Sequence, residues 1–204
     1  MTIKYFDAYP GCLSPDGMIQ NYPILKNASS FLTTNLESLG WKRSPITLHD
    51  DKIFFIVLRD PIKRWVSAVA EEFYDLSASL QKKILIDIDS NTNLFFDFLF
   101  ELSLFDIGIH TKLQAKYTFV DIPFDKIVFF KHDENLNFKL HHWLLGEGIK
   151  NDFLTAKFVN VKKEDIITKK INAFLYNIEN QKQKNKLLEY LQPDYDLINS
   201  ITFY

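Results

Sequence analysis

The sequence predicts an α/β fold: a central, mainly parallel sheet flanked by helices on both faces, with a helical C-terminal part. Three observations carry this. Ile53–Leu58 is an unbroken run of β-branched, aromatic and aliphatic residues, the pattern of a strand covered on both sides. A strand–loop–helix order occurs there and once before, between residues 21 and 39, and such repetition marks a parallel sheet. Residues 162–191 carry a helical pattern rich in Lys and Asn. No internal repeat, low-complexity tract or linker divides the chain, so one domain is expected over residues 1–204.

The elements follow in order. Residues 1–20 hold Pro10-Gly11 and Ser14-Pro15-Asp16-Gly17 and read as a loop-rich arm. Residues 21–25 are short and apolar, as in a buried strand. Lys26-Asn27-Ala28-Ser29 forms a polar loop, and Ser29 or Ser30 can cap a helix running to about Leu39. Leu32, Leu36 and Leu39 fall at i, i+4 and i+7 and make its buried stripe, and Gly40 supplies the C′ residue. After the strand Ile53–Leu58, Asp60 suits an N-cap and Pro61 the first helical position. Ile62, Trp65, Val66, Val69 and Phe73 then line one helix face.

Residues 76–105 read as two helices joined through Asp89-Ser90-Asn91. Residues 118–120 and 127–130 are expected strands. Residues 135–145 are expected to be helical, with Leu136, Leu140, Trp143 and Leu144 on one side and Gly146 and Gly148 at the end.

Composition narrows the function. The net charge of −2 excludes a strongly basic nucleic-acid surface, though not a local basic pocket. No apolar stretch reaches membrane-spanning length, and the N-terminus lacks the apolar core of a signal peptide. The only cysteine is Cys12, which fits a reducing, cytoplasmic setting. Asn27-Ala28-Ser29 matches the N-glycosylation sequon, and without a secretory signal it is expected to be unused. The expectation is a protein with no nucleic-acid or membrane partner.

Two polar loops each lie between a buried strand and a helix, at the carboxyl ends of strands where open parallel sheets bind ligands. The first offers Lys26, the backbone N–H groups of residues 27–30, and the hydroxyls of Ser29 and Ser30. The second offers Arg59, Lys63, Arg64 and Ser67. Each ends at a helix N-terminus, whose unpaired N–H groups favour an anion. Two such sites on adjacent units suit a ligand with phosphates at both ends. The P-loop of nucleotide hydrolases is absent, since no glycine lies between Met18 and Leu39. Asp60, the one carboxylate placed to hold magnesium after the second strand, is better explained as a cap.

These residues resemble the nucleotide motifs of sulfotransferases. Leu25-Lys26-Asn27-Ala28-Ser29-Ser30-Phe31 is similar to their 5′-phosphosulfate loop, P-K-[ST]-G-[ST]-[ST]. Val57-Leu58-Arg59-Asp60-Pro61-Ile62-Lys63-Arg64-Trp65-Val66-Ser67 resembles their 3′-phosphate motif, R-D-P-x-x-R-x-x-S, with Arg and Ser eight apart. Asp106-Ile107-Gly108-Ile109-His110-Thr111-Lys112-Leu113-Gln114 is similar to the D-x-H-x-x-P-Q stretch of carbohydrate-type members. Residues 126–136 and 190–197 resemble their late strand and C-terminal helix. Leu25 stands where the family has Pro and Ala28 where it often has Gly, and Ala28 suits the loop if no positive φ is needed there.

The resemblance implies a P-loop-like sulfotransferase architecture and a donor, 3′-phosphoadenosine-5′-phosphosulfate, used without a metal. It places Lys26 on the bridging oxygen of the phosphosulfate, countering charge on the leaving phosphate. Asn27, Ala28, Ser29 and Ser30 would surround the 5′-phosphate; Arg59 and Ser67, with Arg64, the 3′-phosphate. Phe31 lies off the leucine stripe and so is placed to stack on adenine. The acceptor is a hydroxyl or amine of a carbohydrate or small metabolite, and its proton needs a base, best a histidine. His110 has the motif match, while His49 sits at the end of a strand expected between the two phosphate motifs. Glu71 and Glu72 are disfavoured as lying well along the helix. Two alternatives stand beside this reading: a nucleotide-dependent kinase-like enzyme, and a non-catalytic nucleotide-binding relative.

Overall fold

A computed structural model describes residues 4–5, 9–48, 51–74, 77–79, 81–82, 85–86, 110–153 and 166–204. They form an α/β protein with a five-stranded mixed sheet, parallel at its centre, and five α-helices among the described residues. The chain divides into two compact units. The first comprises Met1–Asp60, Gln114–Val161 and Leu197–Tyr204, and the second Pro61–Leu113 and Lys162–Asp196.

The first unit holds the sheet. Its strands are β2 (Gly11–Leu13), β3 (Ile19–Asn21), β4 (Lys42–Ser44), β6 (Ile53–Leu58) and β7 (Ile127–Lys131), in the order β4-β2-β3-β6-β7. A separate antiparallel pair joins β1 (Lys4–Tyr5) to β5 (Thr47–Leu48). Strands β3, β6 and β7 are parallel, with Ile19 opposite Ile53 and Phe54 opposite Ile127. β2 runs antiparallel to both β3 and β4.

Strand β6 forms as its composition predicts, because both faces are covered. Phe55 and Val57 enter one apolar cluster with Phe31, Leu32, Leu36, Phe130 and Trp143. Phe54, Ile56 and Leu58 enter the opposite cluster with Tyr22, Ile24, Phe119 and Phe129. Alternation along the strand sends successive side chains to opposite faces.

Residues 9–20, expected to be part of a loop-rich arm, instead carry strand β2 and the start of β3. Ser14 to Gly17 make the turn of a hairpin: Ser14 Oγ donates to Asp16 Oδ1 at 2.5 Å, and the Met18 N–H donates to the same oxygen at 3.0 Å. Gly11 lies so close to Asn21 that a Cβ there would stand 1.8 Å from the Asn21 carbonyl oxygen, so glycine alone permits this pairing. The strand expected over residues 21–25 begins earlier, at Ile19. The Tyr22 N–H still reaches Phe55 O at 3.0 Å, but Pro23 has no N–H to continue the ladder.

Helix α1 (Ser29–Ser38) ends as expected. Gly40 at φ +84 accepts the left-handed turn, its N–H bonding Glu37 O at 3.0 Å and that of Trp41 bonding Leu36 O at 3.1 Å, which is a Schellman closure. α3 (Leu136–Gly146) closes the same way through Gly148 and Ile149, one residue past the predicted end. The strand expected at residues 118–120 is instead a 3-10 turn, Thr118–Asp121, closed by Ile122 N–H on Phe119 O at 2.9 Å. The C-terminal Tyr204 donates its N–H to Phe129 O at 3.0 Å, along the outer edge of β7.

The second unit is helical: α2 (Pro61–Tyr74), α4 (Ile166–Tyr176) and the start of α5 (Gln181–Ser200). α2 begins at Pro61, and Trp65, Val66, Val69 and Phe73 pack with Ile171, Phe174 and Leu187. The helices expected over residues 76–105 lie mostly outside the described residues. Among the described residues, no helix is long and apolar enough to cross a membrane.

Candidate functional site: two loops at the ends of parallel strands

Because β3 and β6 are neighbouring and parallel, the loops that follow them leave the same edge of the sheet. Their residues meet there. Arg59 Nη1 donates to the backbone carbonyl oxygen of Lys26 at 3.1 Å. The two cationic residues singled out by the sequence thus belong to one constellation rather than to separate faces.

The first loop has an unusual backbone. Lys26 has φ +66 and Ala28 φ +61, both left-handed and both non-glycine. Ala28 therefore does need the positive φ that would favour glycine, contrary to the expectation. An L-residue in this region costs about 1 kcal/mol or more. Left-handed residues interspersed in a loop turn successive N–H groups toward one concavity, the arrangement that cradles anions in phosphate loops. The turn is closed by the Asn27 N–H on Ile24 O at 3.1 Å. α1 then starts at Ser29 with no side chain capping it, Ser29 half-buried and Ser30 exposed. Its first N–H groups have no carbonyl one turn back to bond.

Asn27 lies inward, 1% exposed. Its Nδ2 donates to Val57 O at 2.9 Å and to Gln114 Oε1 at 2.6 Å. The sequon asparagine is thus inaccessible to a glycosyl donor, and its side chain serves the fold rather than facing a ligand. Gln114 is fully buried and also bonds the backbone of Arg59. Sequence reasoning placed Gln114 in the His110 stretch without giving it a role. A lone glutamine that bonds the Arg59 backbone and one asparagine 87 positions away leaves no spacing signal.

Phe31 is corrected outright. It is 2% exposed and packs edge-on to Phe153, ring centroids 5.9 Å apart, so it belongs to the core and not to a base-stacking surface. The apolar face of α1 is wider than the leucine stripe.

The remaining expected site residues lie in the second unit or outside the described residues. Arg64 is 1% exposed on α2, and Ser67 is half-buried one turn further on. His110 Nδ1 lies 3.0 Å from Glu72 Oε1, both side chains about one-fifth exposed (21% and 23%). A carboxylate on Nδ1 holds the imidazole in one tautomer and leaves Nε2 as the proton acceptor. Glu72, disfavoured as a base, is instead the partner of the His110 imidazole. His49 lies outside the described residues. His141 Nδ1 lies 2.9 Å from Asn151 Oδ1, and the exposed His142 meets Phe138 at the surface with its ring tilted.

These features define an α/β fold in which two loops, carrying Lys26 and Arg59, meet at the carboxyl ends of the parallel strands β3 and β6. Comparisons with protein-family models, with curated proteins and with solved structures find no match.

Proposed function

We propose that this protein is a sulfotransferase of P-loop-like architecture. It would bind 3′-phosphoadenosine-5′-phosphosulfate and pass the sulfuryl group to a hydroxyl or amine of a carbohydrate or small metabolite. The observation that carries the reading is the contact between Arg59 and Lys26. It makes the two motif loops neighbours, as a ligand with phosphates at both ends requires. The left-handed residues 26 and 28 and the uncapped α1 support an anion in the first loop.

The roles follow from the chemistry. Ser29, Ser30 and the loop amides hold the 5′-phosphate, with Asn27 and Ala28 shaping the backbone. Lys26 neutralises charge gathering on the phosphate oxygen as its bond to sulfur breaks. Arg59 answers the 3′-phosphate, whose oxygens suit a planar guanidinium, and the motif resemblance assigns Ser67 and Arg64 to the same phosphate. The acceptor oxygen or nitrogen forms its bond to sulfur in line with the leaving phosphate, adenosine 3′,5′-bisphosphate departs, and the acceptor proton passes to a base. His110, oriented by Glu72, is the base in this reading, with His49 as the alternative. No metal is needed.

The test is turnover with sulfur-labelled donor and a panel of carbohydrate, hydroxyl and amine acceptors. The expected result is labelled acceptor formed in step with the bisphosphate. Magnesium-dependent transfer of phosphate from ATP, with no preference for a 3′-phosphate, would contradict it.

A further inference from the structure

Gln114 opens a 3-10 turn, Gln114–Lys116, yet its side chain points to neither neighbour in sequence. Its Nε2 donates to the Arg59 carbonyl oxygen at 3.0 Å, and its Oε1 accepts the Arg59 N–H at 3.1 Å. One amide thus closes a two-point ring on the backbone of Arg59, as a neighbouring strand would. The same Oε1 accepts Asn27 Nδ2 at 2.6 Å, and that nitrogen also donates to Val57 O at 2.9 Å. Arg59 then holds the Lys26 carbonyl through Nη1. Asn27 and Gln114 are 1% and 0% exposed, so water does not compete for these bonds.

We infer that Gln114 is a positioning residue that sets the Arg59 guanidinium against the first loop and thereby gives the site its selectivity for a 3′-phosphate. The inference rests on the nucleotide reading above and adds the residue that creates its specificity. Beyond the end of β6 the chain leaves the sheet ladder, and the Arg59 N–H and C=O would otherwise have to find other partners. Gln114 supplies both, with donor and acceptor at the spacing of a peptide group. Glutamate keeps the acceptor but cannot donate to the Arg59 carbonyl when ionised. Methionine keeps the volume and loses all three bonds.

The experiment is a double-mutant cycle on the full chain, using calorimetric affinities for adenosine 3′,5′-bisphosphate and for AMP. Gln114→Met is expected to cut the preference for the bisphosphate over AMP about tenfold. In an Arg59→Ala background the same change should leave that preference within about twofold, because no guanidinium remains to be placed. Equal loss of both nucleotides, or the same loss in both backgrounds, would overturn the inference and make Gln114 an ordinary core residue. A wild type with no preference for the bisphosphate would instead refute the nucleotide reading and take the inference with it. Hydrogen exchange on the nucleotide-free wild type needs no variant: the Arg59 amide should be protected to the level of the β6 amides. Exchange as fast as in an exposed loop would overturn the inference even if Gln114→Met failed to fold.

Discussion

Arg59 and Lys26, thirty-three residues apart in sequence, are joined by a 3.1 Å hydrogen bond from a guanidinium to a backbone carbonyl. In the proposed reading Arg59 has two duties, holding the first loop through this bond and meeting the 3′-phosphate. Arg59→Lys should therefore fail to rescue Arg59→Ala. An ammonium lacks the planar fork that can hold a carbonyl and a phosphate at once. Titration of both variants with the bisphosphate checks this, with losses within about 1 kcal/mol of each other expected.

Lys26 should matter more to turnover than to product binding. In the proposed transfer its charge answers charge that develops as the sulfur–oxygen bond breaks, so Lys26→Met should lower kcat by a factor of about 100 or more. Bisphosphate affinity should fall much less. Kinetics beside calorimetry decide it, and equal losses would assign Lys26 to binding alone.

The pairing of His110 with Glu72 at 3.0 Å predicts a graded pair of variants. His110→Ala should reduce transfer about 100- to 10,000-fold with donor affinity retained. Glu72→Gln should reduce it less, since an amide oxygen can still accept from Nδ1 but carries no charge to stabilise the imidazolium. Steady-state rates at saturating donor measure both. An unaffected His110→Ala would turn attention to His49.

Ala28 at φ +61 is strained in a way glycine would not be. Ala28→Gly should stabilise the protein by about 1 kcal/mol. That is about 2–4 °C in Tm for a chain of this size. The opposite change at another left-handed position, Gly40→Ala, should lower Tm. Thermal melts of the two variants check the backbone assignment independently of any ligand.

Lys52 is buried at the start of β6, its ammonium donating to Gln20 Oε1 at 3.1 Å and Thr47 Oγ1 at 3.0 Å. Burial pushes its pKa below the ordinary lysine value. Between the lowered and the ordinary value the unfolded chain binds more protons than the folded one, so stability rises with pH across that window. Below the window the cost of the buried charge is fully present. Relative to Lys52→Met, the wild type should thus gain stability as pH rises toward the ordinary lysine value of 10.5. Urea midpoints of both proteins at each pH measure the difference, and a constant gap would contradict it.

What could be read from the sequence follows from how each feature is encoded. β6 is legible because its six apolar residues are rich in β-branched and aromatic side chains, too few for a helix, and stopped by Arg59-Asp60-Pro61. Gly40 marked the end of α1 because only a left-handed turn calls for it there. The hairpin of β2 and β3 was not legible: strands of three residues carry too little alternation, and the Ser14–Gly17 turn looks like any loop. The cationic ends of the site were visible in Lys26 and Arg59. Its inner tie was not, because Asn27 and Gln114 lie 87 positions apart and bond largely to backbone. Phe31 was misplaced because three leucines were taken for the whole buried face, which on a helix packed against a sheet is broader.

The most direct test is calorimetric titration of the wild-type protein with adenosine 3′,5′-bisphosphate and with AMP, repeated on Arg59→Ala. The account predicts that the bisphosphate binds more tightly than AMP by about 2–3 kcal/mol and that the substitution removes most of that margin. Equal affinities in the wild type, or a margin untouched by the loss of Arg59, would contradict it.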